Sequence, residues 1–353
     1  MNNKEIEKDD FKRILQDFSS YKKFNNSTIL ITGYAGFIGY YLVKFLISER
    51  RAIKWKKLIL VDNFKTKSSE KINLKKYKDI DLINSNILKI NFKLKKYSKI
   101  NYIFHMASIA SPHFYRKYPL ETIDANVSGL KILLDSFKNK KISLLFFSSS
   151  EIYGDPPKKF IPTKESYFGN VSTIGPRSCY DESKRFCETL CYYYEKKYKI
   201  SIKIVRPFNN YGPGLSMKDK RLPADLSNYI LKNLDIIIHS NGSPSRTFCY
   251  ISDALTGFLL AITHDKFDIF NIGNDQNEIT VYKLAKLYQK IGKKYFSYSK
   301  KIIMKKSSDK EYLTNNPHRR RPDITKAKKI LNYSPKVKLV DGVERYLYYL
   351  NSL

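Results

Sequence analysis

Ser27-Thr28-Ile29-Leu30-Ile31-Thr32 is an apolar, β-branched run, and Gly33-Tyr34-Ala35-Gly36-Phe37-Ile38-Gly39 follows it with no spacer. Residues 40–47 continue at helical spacing. A buried parallel strand, a glycine turn and a helix in that order are what a dinucleotide pyrophosphate site requires. The first glycine permits the turn, the second admits a phosphate to the backbone, and the third lets helix and strand approach. The spacing is G-x-x-G-x-x-G rather than the commoner G-x-G-x-x-G, so its weight comes from the flanking strand and helix. Gly33, Gly36, Phe37, Ile38 and Gly39 are therefore expected to cradle a dinucleotide.

A second strand, Leu58-Ile59-Leu60-Val61, ends in Asp62-Asn63. A carboxylate there accepts hydrogen bonds from a ribose 2′-OH and repels a 2′-phosphate, which favours NAD over NADP; Lys65 and Lys67 weigh against that choice. Further strands are expected at 82–87, 102–104, 144–147 and 202–205, with helices at 127–137 and 186–194 between them. This alternation predicts an α/β fold, a doubly wound Rossmann-type parallel sheet covered on both faces. After Arg206-Pro207 the alternation breaks. Residues 208–250 cluster Gly, Pro, Asn and Arg, as in a loop-rich region enclosing a ligand. Helices are expected at 253–262, 280–291 and 324–331, and a strand at 268–272. The expected organisation is a leading helical extension over 1–24 and a dinucleotide-binding domain over 25–207, completed by about 250–273. A smaller, interleaved substrate-binding domain is expected over 208–249 and 274–353.

Tyr180-Asp181-Glu182-Ser183-Lys184 opens a helical pattern, so Tyr180 and Lys184 share a face one turn apart. An ammonium beside a phenol favours the phenolate and is expected to lower its pKa, as removal of a proton from an alcohol requires. With 28 tyrosines in the chain such a pair arises easily by chance, and its meaning depends on the surrounding loops. Ser148-Ser149-Ser150-Glu151 ends the strand at 144–147 and offers hydroxyls to the same alcohol. Glu151 is harder to dismiss, because a crevice seldom tolerates an unpaired carboxylate. His105 to Pro112 follows another strand with small residues that admit a cofactor, and His105 reads as structural. Arg246 and Arg319-Arg320-Arg321 could grip phosphates or a carboxylate in a bidentate fork.

The chain of 353 residues carries 65 basic against 33 acidic side chains, a formal charge of +32. Such a balance raises the possibility of a nucleic-acid partner. The lysines, however, are dispersed, with no basic arm and no metal-finger spacing, so solvated faces explain them better. Cys179, Cys187, Cys191 and Cys249 have no paired-metal spacing. No metal site is expected, and a reduced chain fits better than a disulfide scaffold. No basic-then-apolar leader opens the chain and no long apolar span crosses it. A soluble, cytoplasmic protein is expected.

Taken together, Gly33-x-x-Gly36-x-x-Gly39, Asp62-Asn63, the 149–154 stretch and Tyr180-x-x-x-Lys184 resemble the extended short-chain dehydrogenase/reductase family over residues 27–345. Within it, the pattern looks most like the branch that decarboxylates UDP-glucuronate. That likeness rests on Ala110-Ser111-Pro112 with Tyr115, Ser149-Ser150-Glu151-Ile152-Tyr153-Gly154, residues 175–185, Gly242 to Phe248 and Arg320-Arg321-Pro322-Asp323. The resemblance implies NAD, a UDP-sugar substrate, and oxidation at C4, loss of CO2 and hydride return, yielding UDP-xylose. It implies that Tyr180, Lys184 and Ser149 act in the oxidation and that Ser150 and Glu151 serve the decarboxylation region. Arg246 would contact the sugar carboxylate. Ser111, Pro112, Tyr115, Arg177, Asn209, Arg221 and Arg320 would line the substrate, and Asn63, Asn86 and Ala107 the cofactor. Asn86 stands where the family usually has aspartate, and Ser149 where the decarboxylases commonly have threonine. A homodimer through helices near 122–138 and 180–199 is also implied, with the tyrosines at 192–194 on its surface. A 4,6-dehydratase would carry Asp-Glu where this chain has Ser150-Glu151. A nucleotide-sugar 4-epimerase is the alternative activity, and an inactive basic scaffold is disfavoured by the intact glycines, Tyr180 and Lys184.

Overall fold

The computed structural model describes residues 2–66, 72–276, 278–309, 311 and 314–353; Lys67 lies outside them. Seven strands form one parallel sheet: β1 (Thr28–Thr32), β2 (Lys57–Asp62), β3 (Ile80–Asn84), β4 (Tyr102–His105), β5 (Ser143–Phe147), β6 (Ser201–Pro207) and β7 (Asp268–Ile272). Their order is β7-β6-β5-β4-β1-β2-β3. The inner strands alternate their side chains between two cores, whereas the edge strand β3 leaves Leu82 exposed. Ile29 and Ile31 of β1 face one apolar cluster and Leu30 the other; Leu58 and Leu60 of β2 likewise oppose Ile59 and Val61. With both faces buried, unbroken apolar runs are the pattern such strands require. The order reverses between β1 and β4, which opens a crevice at their carboxyl ends.

Helix α1 (Asn3–Asp17) begins with a capping box in which Asn2 and Glu5 exchange side chain-to-backbone hydrogen bonds. It buries Ile6, Phe11 and Ile14, and also the carboxylate of Asp10. Asp10 accepts hydrogen bonds from Tyr41 (2.7 Å), Tyr250 (2.9 Å), Arg345 (2.8 Å) and Arg13 (2.6 Å). The leading extension is thereby tied to segments more than two hundred residues away.

Helix α2 (Phe37–Ser48) follows the glycine turn, and α3 (Gly129–Phe137) is preceded by a π-helical turn at Asp124–Ser128. Helix α4 (Ser178–Tyr198) begins just before Tyr180. The region read as loop-rich contains α5 (Leu222–Leu231), where Pro223 lies in the first turn, a position proline tolerates. Helix α6 (Ile251–Ile262) packs against β5, β6 and α1. The chain then forms α7 (Val281–Tyr295), and α8 (Leu339–Asn351) closes it, an element the sequence reading left out. The third strand also differs: it occupies Ile80–Asn84 rather than 82–87, so Ser85 and Asn86 leave the sheet. Asn86 instead accepts a hydrogen bond from Leu88 N–H at 3.1 Å and caps a short 3-10 turn.

A small three-stranded sheet joins distant parts of the second half. Ser245–Arg246 lies between Ile279–Thr280 and Arg319–Arg320, with Arg320 in register with Arg246. Two arginines 74 positions apart are thus set on neighbouring strands.

Candidate active site

The crevice between β1 and β4 is lined by Gly33, Gly36, Asp62, Asn63, Asn86 and Ala107 among others. Gly33 has φ +77°, and a Cβ there would lie 2.6 Å from the Met106 carbonyl carbon. A Cβ on Gly39 would lie 2.4 Å from the Gly33 oxygen, so this glycine lets α2 seat against the turn. At Gly36 the nearest neighbour of a Cβ is the Gly33 oxygen at 3.3 Å, and the residue borders the cleft. Phe37, Ile38 and Gly39 form the first turn of α2, whose N–H groups are available to an anion.

Asp62 accepts N–H bonds from Ala35 (3.0 Å) and Phe64 (2.7 Å), and burial raises its pKa against those bonds. Lys65, which weighed toward a 2′-phosphate, forms an ion pair with Glu121 at 2.6 Å. The buried Ser108 hydroxyl, also on the cleft, has no hydrogen-bond partner among the described residues. A glycine cradle, a carboxylate at the end of β2 and an unpartnered hydroxyl fit a dinucleotide with a free ribose 2′-OH.

Tyr180 is buried, stacked on Tyr115 with ring centroids 5.1 Å apart and planes 13° apart. The Tyr115 hydroxyl is itself buried with no hydrogen-bond partner among the described residues. Lys184 donates to the Phe147 carbonyl at 2.7 Å, with its nitrogen 5.7 Å from the Tyr180 ring centre. The net shift of the phenol is nonetheless upward. Burial pushes Tyr180 up to about 12, a hydrogen bond with Ser149 and the charge of Arg221 work the other way, and Glu151 and Asp181 reinforce the rise. Burial also pushes Lys184 down to about 8. Desolvation outweighs the one-turn spacing because both groups are taken out of water.

Ser149 caps the 3-10 turn Ser150–Tyr153, accepting the Glu151 N–H at 3.2 Å, and Ser150 is buried behind it. The Glu151 carboxylate is clasped by two guanidiniums, Arg177 and Arg320, the second through both nitrogens, one at 2.8 Å. Burial pushes Glu151 upward, but Arg177, Arg320 and then Arg246 hold it well below the usual carboxylate range. Glu151 is therefore an anion here.

Arg246 does not reach that carboxylate directly. Its guanidinium donates to the carbonyls of Ser245 (2.7 Å), Pro317 (2.5 Å) and His318 (3.2 Å), while burial and the facing Arg320 push it down to about 9. Arg320, rather than Arg246, is thus the direct partner of Glu151, while Arg246 acts on it through its charge. Arg319 pairs with Glu278 at 2.6 and 2.7 Å, and Arg321 donates to the Asp275 carbonyl at 3.0 Å. The three adjacent arginines diverge, and only Arg320 turns to Glu151.

Arg221 pairs with Asp219 and lies 5.7 Å above the Phe37 ring. Ser111 donates to the Asp219 carbonyl at 2.6 Å and, with Pro112, starts the short helix carrying Tyr115. Asn209, at φ +42°, donates to the Thr247 carbonyl at 2.9 Å. His105 is structural as expected, bonded to Thr32 at 2.8 Å and pushed down to about 3 by burial and by Lys184. One residue was missed: Asp181, buried one position after Tyr180. Nothing in its local pattern distinguishes it from an ordinary first-turn carboxylate.

The fold and site define a class: residues 29–273 match the NAD dependent epimerase/dehydratase family, and the chain belongs to it. More particularly, it is 36% identical over 319 residues to UDP-glucuronic acid decarboxylase 6 of Arabidopsis thaliana, covering 90% of this chain and 87% of that protein. Among solved structures, UDP-glucose 4-epimerase of Thermotoga maritima with UDP-glucose superposes with TM-score 0.79 at 26% identity, covering 92% of this chain and 98% of the other. The Bacillus cereus UDP-glucuronic acid 4-epimerase, in complex with UDP-glucuronic acid and NAD, gives TM-score 0.75 at 25% identity over the same shares.

Proposed function

We propose that this chain decarboxylates UDP-glucuronate to UDP-xylose, with NAD in the β1–β4 crevice. The observation that carries the reading is the cluster of Arg177, Arg320 and Arg246 around Glu151, beside the buried Tyr180–Ser149 pair. Gly33, Gly36, Phe37, Ile38 and Gly39 hold the pyrophosphate, Asp62 and Asn63 the ribose, and Asn86 and Ala107 the rest of the cofactor. When bound, NAD supplies the hydride acceptor and returns the hydride, so no net redox change occurs.

Tyr180 takes the proton of the sugar C4 hydroxyl. The Ser149 hydrogen bond, the positive charge of Arg221 and the Lys184 ammonium one helical turn away ease this step against the burial that raises the phenol's pKa. Lys184 braces the site through the Phe147 carbonyl. Oxidation at C4 places a ketone beta to the carboxylate, so the C5–C6 bond breaks with its electron pair delocalised into that ketone. Arg246 orients the sugar carboxylate in its planar fork, while Arg177 and Arg320 hold Glu151, which with Ser150 serves this end of the site. Ser111, Pro112, Tyr115, Asn209 and Arg221 flank the sugar and diphosphate.

In this reading residues 25–207, completed by about 250–273, bind the cofactor, and 208–249 with 274–353 close over the substrate. The exposed Phe186, Tyr192 and Tyr193 of α4 offer a face for a second copy, which light scattering tests directly. All four cysteines are free and no helix among the described residues is long and apolar enough to cross a membrane, which supports a cytoplasmic setting. The test of the activity is incubation with UDP-glucuronate and NAD followed by mass analysis. Loss of CO2 supports decarboxylation, and an isomer of unchanged mass replaces it with 4-epimerisation.

A further inference from the structure

Decarboxylation consumes one proton. The carboxylate leaves as neutral CO2, the electron pair stays on C5, and C5 must then gain a proton that the substrate does not carry. Glu151 is poorly suited to store it, being held as an anion by Arg177 and Arg320. Asp181 is differently placed. It is 5% exposed, its Oδ1 has no hydrogen-bond partner among the described residues, and its Oδ2 lies 3.6 Å from Arg177 Nε. It shares Arg177 with Glu151 while receiving the weaker contact. It also borders a second cavity of about 750 Å³, lined by Arg177, Asp155, Ser243, Asn315 and His318 among others, with room for water to recharge it.

We propose that Asp181 takes up a proton when the anionic sugar nucleotide binds and stores it for the protonation of C5. The inference rests on the decarboxylase reading above. The substrate brings a carboxylate and a diphosphate into a cluster where Arg177, Arg320 and Arg246 face Glu151 and Asp181, with Tyr115 and Tyr180 beside them. Added negative charge favours protonation of the carboxylate with the least support, and that group is Asp181. Burial and Glu151 already push Asp181 up to about 7, against Arg177 and Arg320. After the C5–C6 bond breaks, the proton passes toward C5 by way of water in the adjoining cavity, and Asp181 returns to its carboxylate. Asp181 is a positioning residue for the proton and does not touch the substrate.

The test uses the Tyr180→Phe protein with NAD, in which chemistry stops at binding. UDP-glucuronate is titrated calorimetrically at pH 8 in two buffers of different ionisation enthalpy. The expected uptake is roughly half a proton or more per substrate bound, falling at pH 6 where Asp181 is already largely protonated. Adding Asp181→Asn should abolish the uptake, and Asp181→Glu should restore it. Should the Asn variant fail to fold, the parent protein still decides, because binding with no uptake at pH 8 overturns the inference alone. Absence of binding overturns the substrate reading and this inference with it.

Discussion

Gly36 and Gly39 are three residues apart on the same turn, yet alanine should damage them in opposite ways. At Gly39 a Cβ meets backbone on two sides, the Gly33 oxygen at 2.4 Å and the Tyr34 Cα at 2.7 Å. Backbone cannot rotate away as a side chain can, so helix and turn must separate. Overpacking of this kind costs about 1–3 kcal/mol, and a fixed backbone places Gly39→Ala toward the upper end. A drop of several degrees in Tm is expected. At Gly36 the same methyl meets only the Gly33 oxygen at 3.3 Å, and φ is −75°, open to any L residue. Gly36→Ala should therefore unfold close to the wild-type temperature. Its methyl would stand on the cleft wall, where the proposed function places a phosphate, so NAD affinity should fall about tenfold or more, equivalent to about 1.4 kcal/mol. The assays are thermal unfolding by circular dichroism and NAD binding by calorimetry. A Gly36→Ala protein that binds NAD normally, or a Gly39→Ala protein with unchanged Tm, would refute the reasoning.

Arg320→Lys keeps the charge but loses the planar fork on Glu151; turnover should fall about a hundredfold with NAD binding intact, and equal activity would remove Arg320 from the site. Asp10→Ala leaves Arg345 and two tyrosines facing a buried gap, a loss of about 3–5 kcal/mol that denaturant unfolding should register even though the mutation lies far from the crevice. Glu151 has a depressed folded-state pKa, so its stabilising contribution is complete above its ordinary pKa of about 4.5 and is lost as pH falls below it. Glu151→Gln should thus flatten the acid side of the stability–pH curve while impairing CO2 loss more than binding; a curve parallel to the wild type's would show that the arginine clasp is absent in solution.

The elements legible in the sequence were those whose information is local. The glycine turn, the strands buried on both faces and the Tyr180–Lys184 spacing each write a short-range pattern, and the sheet follows from them. The arginines did not. Whether Arg246 or Arg320 meets Glu151 depends on the pairing of two short strands 74 positions apart, which no periodicity records. The same is true of Tyr180's pKa: helical spacing says that Lys184 is near, whereas the outcome is set by how completely the surrounding fold removes water. Asp181 escaped notice for a related reason, since its burial and its unpartnered oxygen are not recorded in the helical pattern around it. Helix α5 was missed because Pro223 was taken with its Gly- and Asn-rich neighbours as loop, although it occupies a first turn.

The most direct measurement of the activity is the mass balance of the reaction with UDP-glucuronate and NAD. Decarboxylation predicts a product lighter by one CO2, co-eluting with UDP-xylose, with no accumulated NADH. A product of unchanged mass would contradict it and make the chain a 4-epimerase.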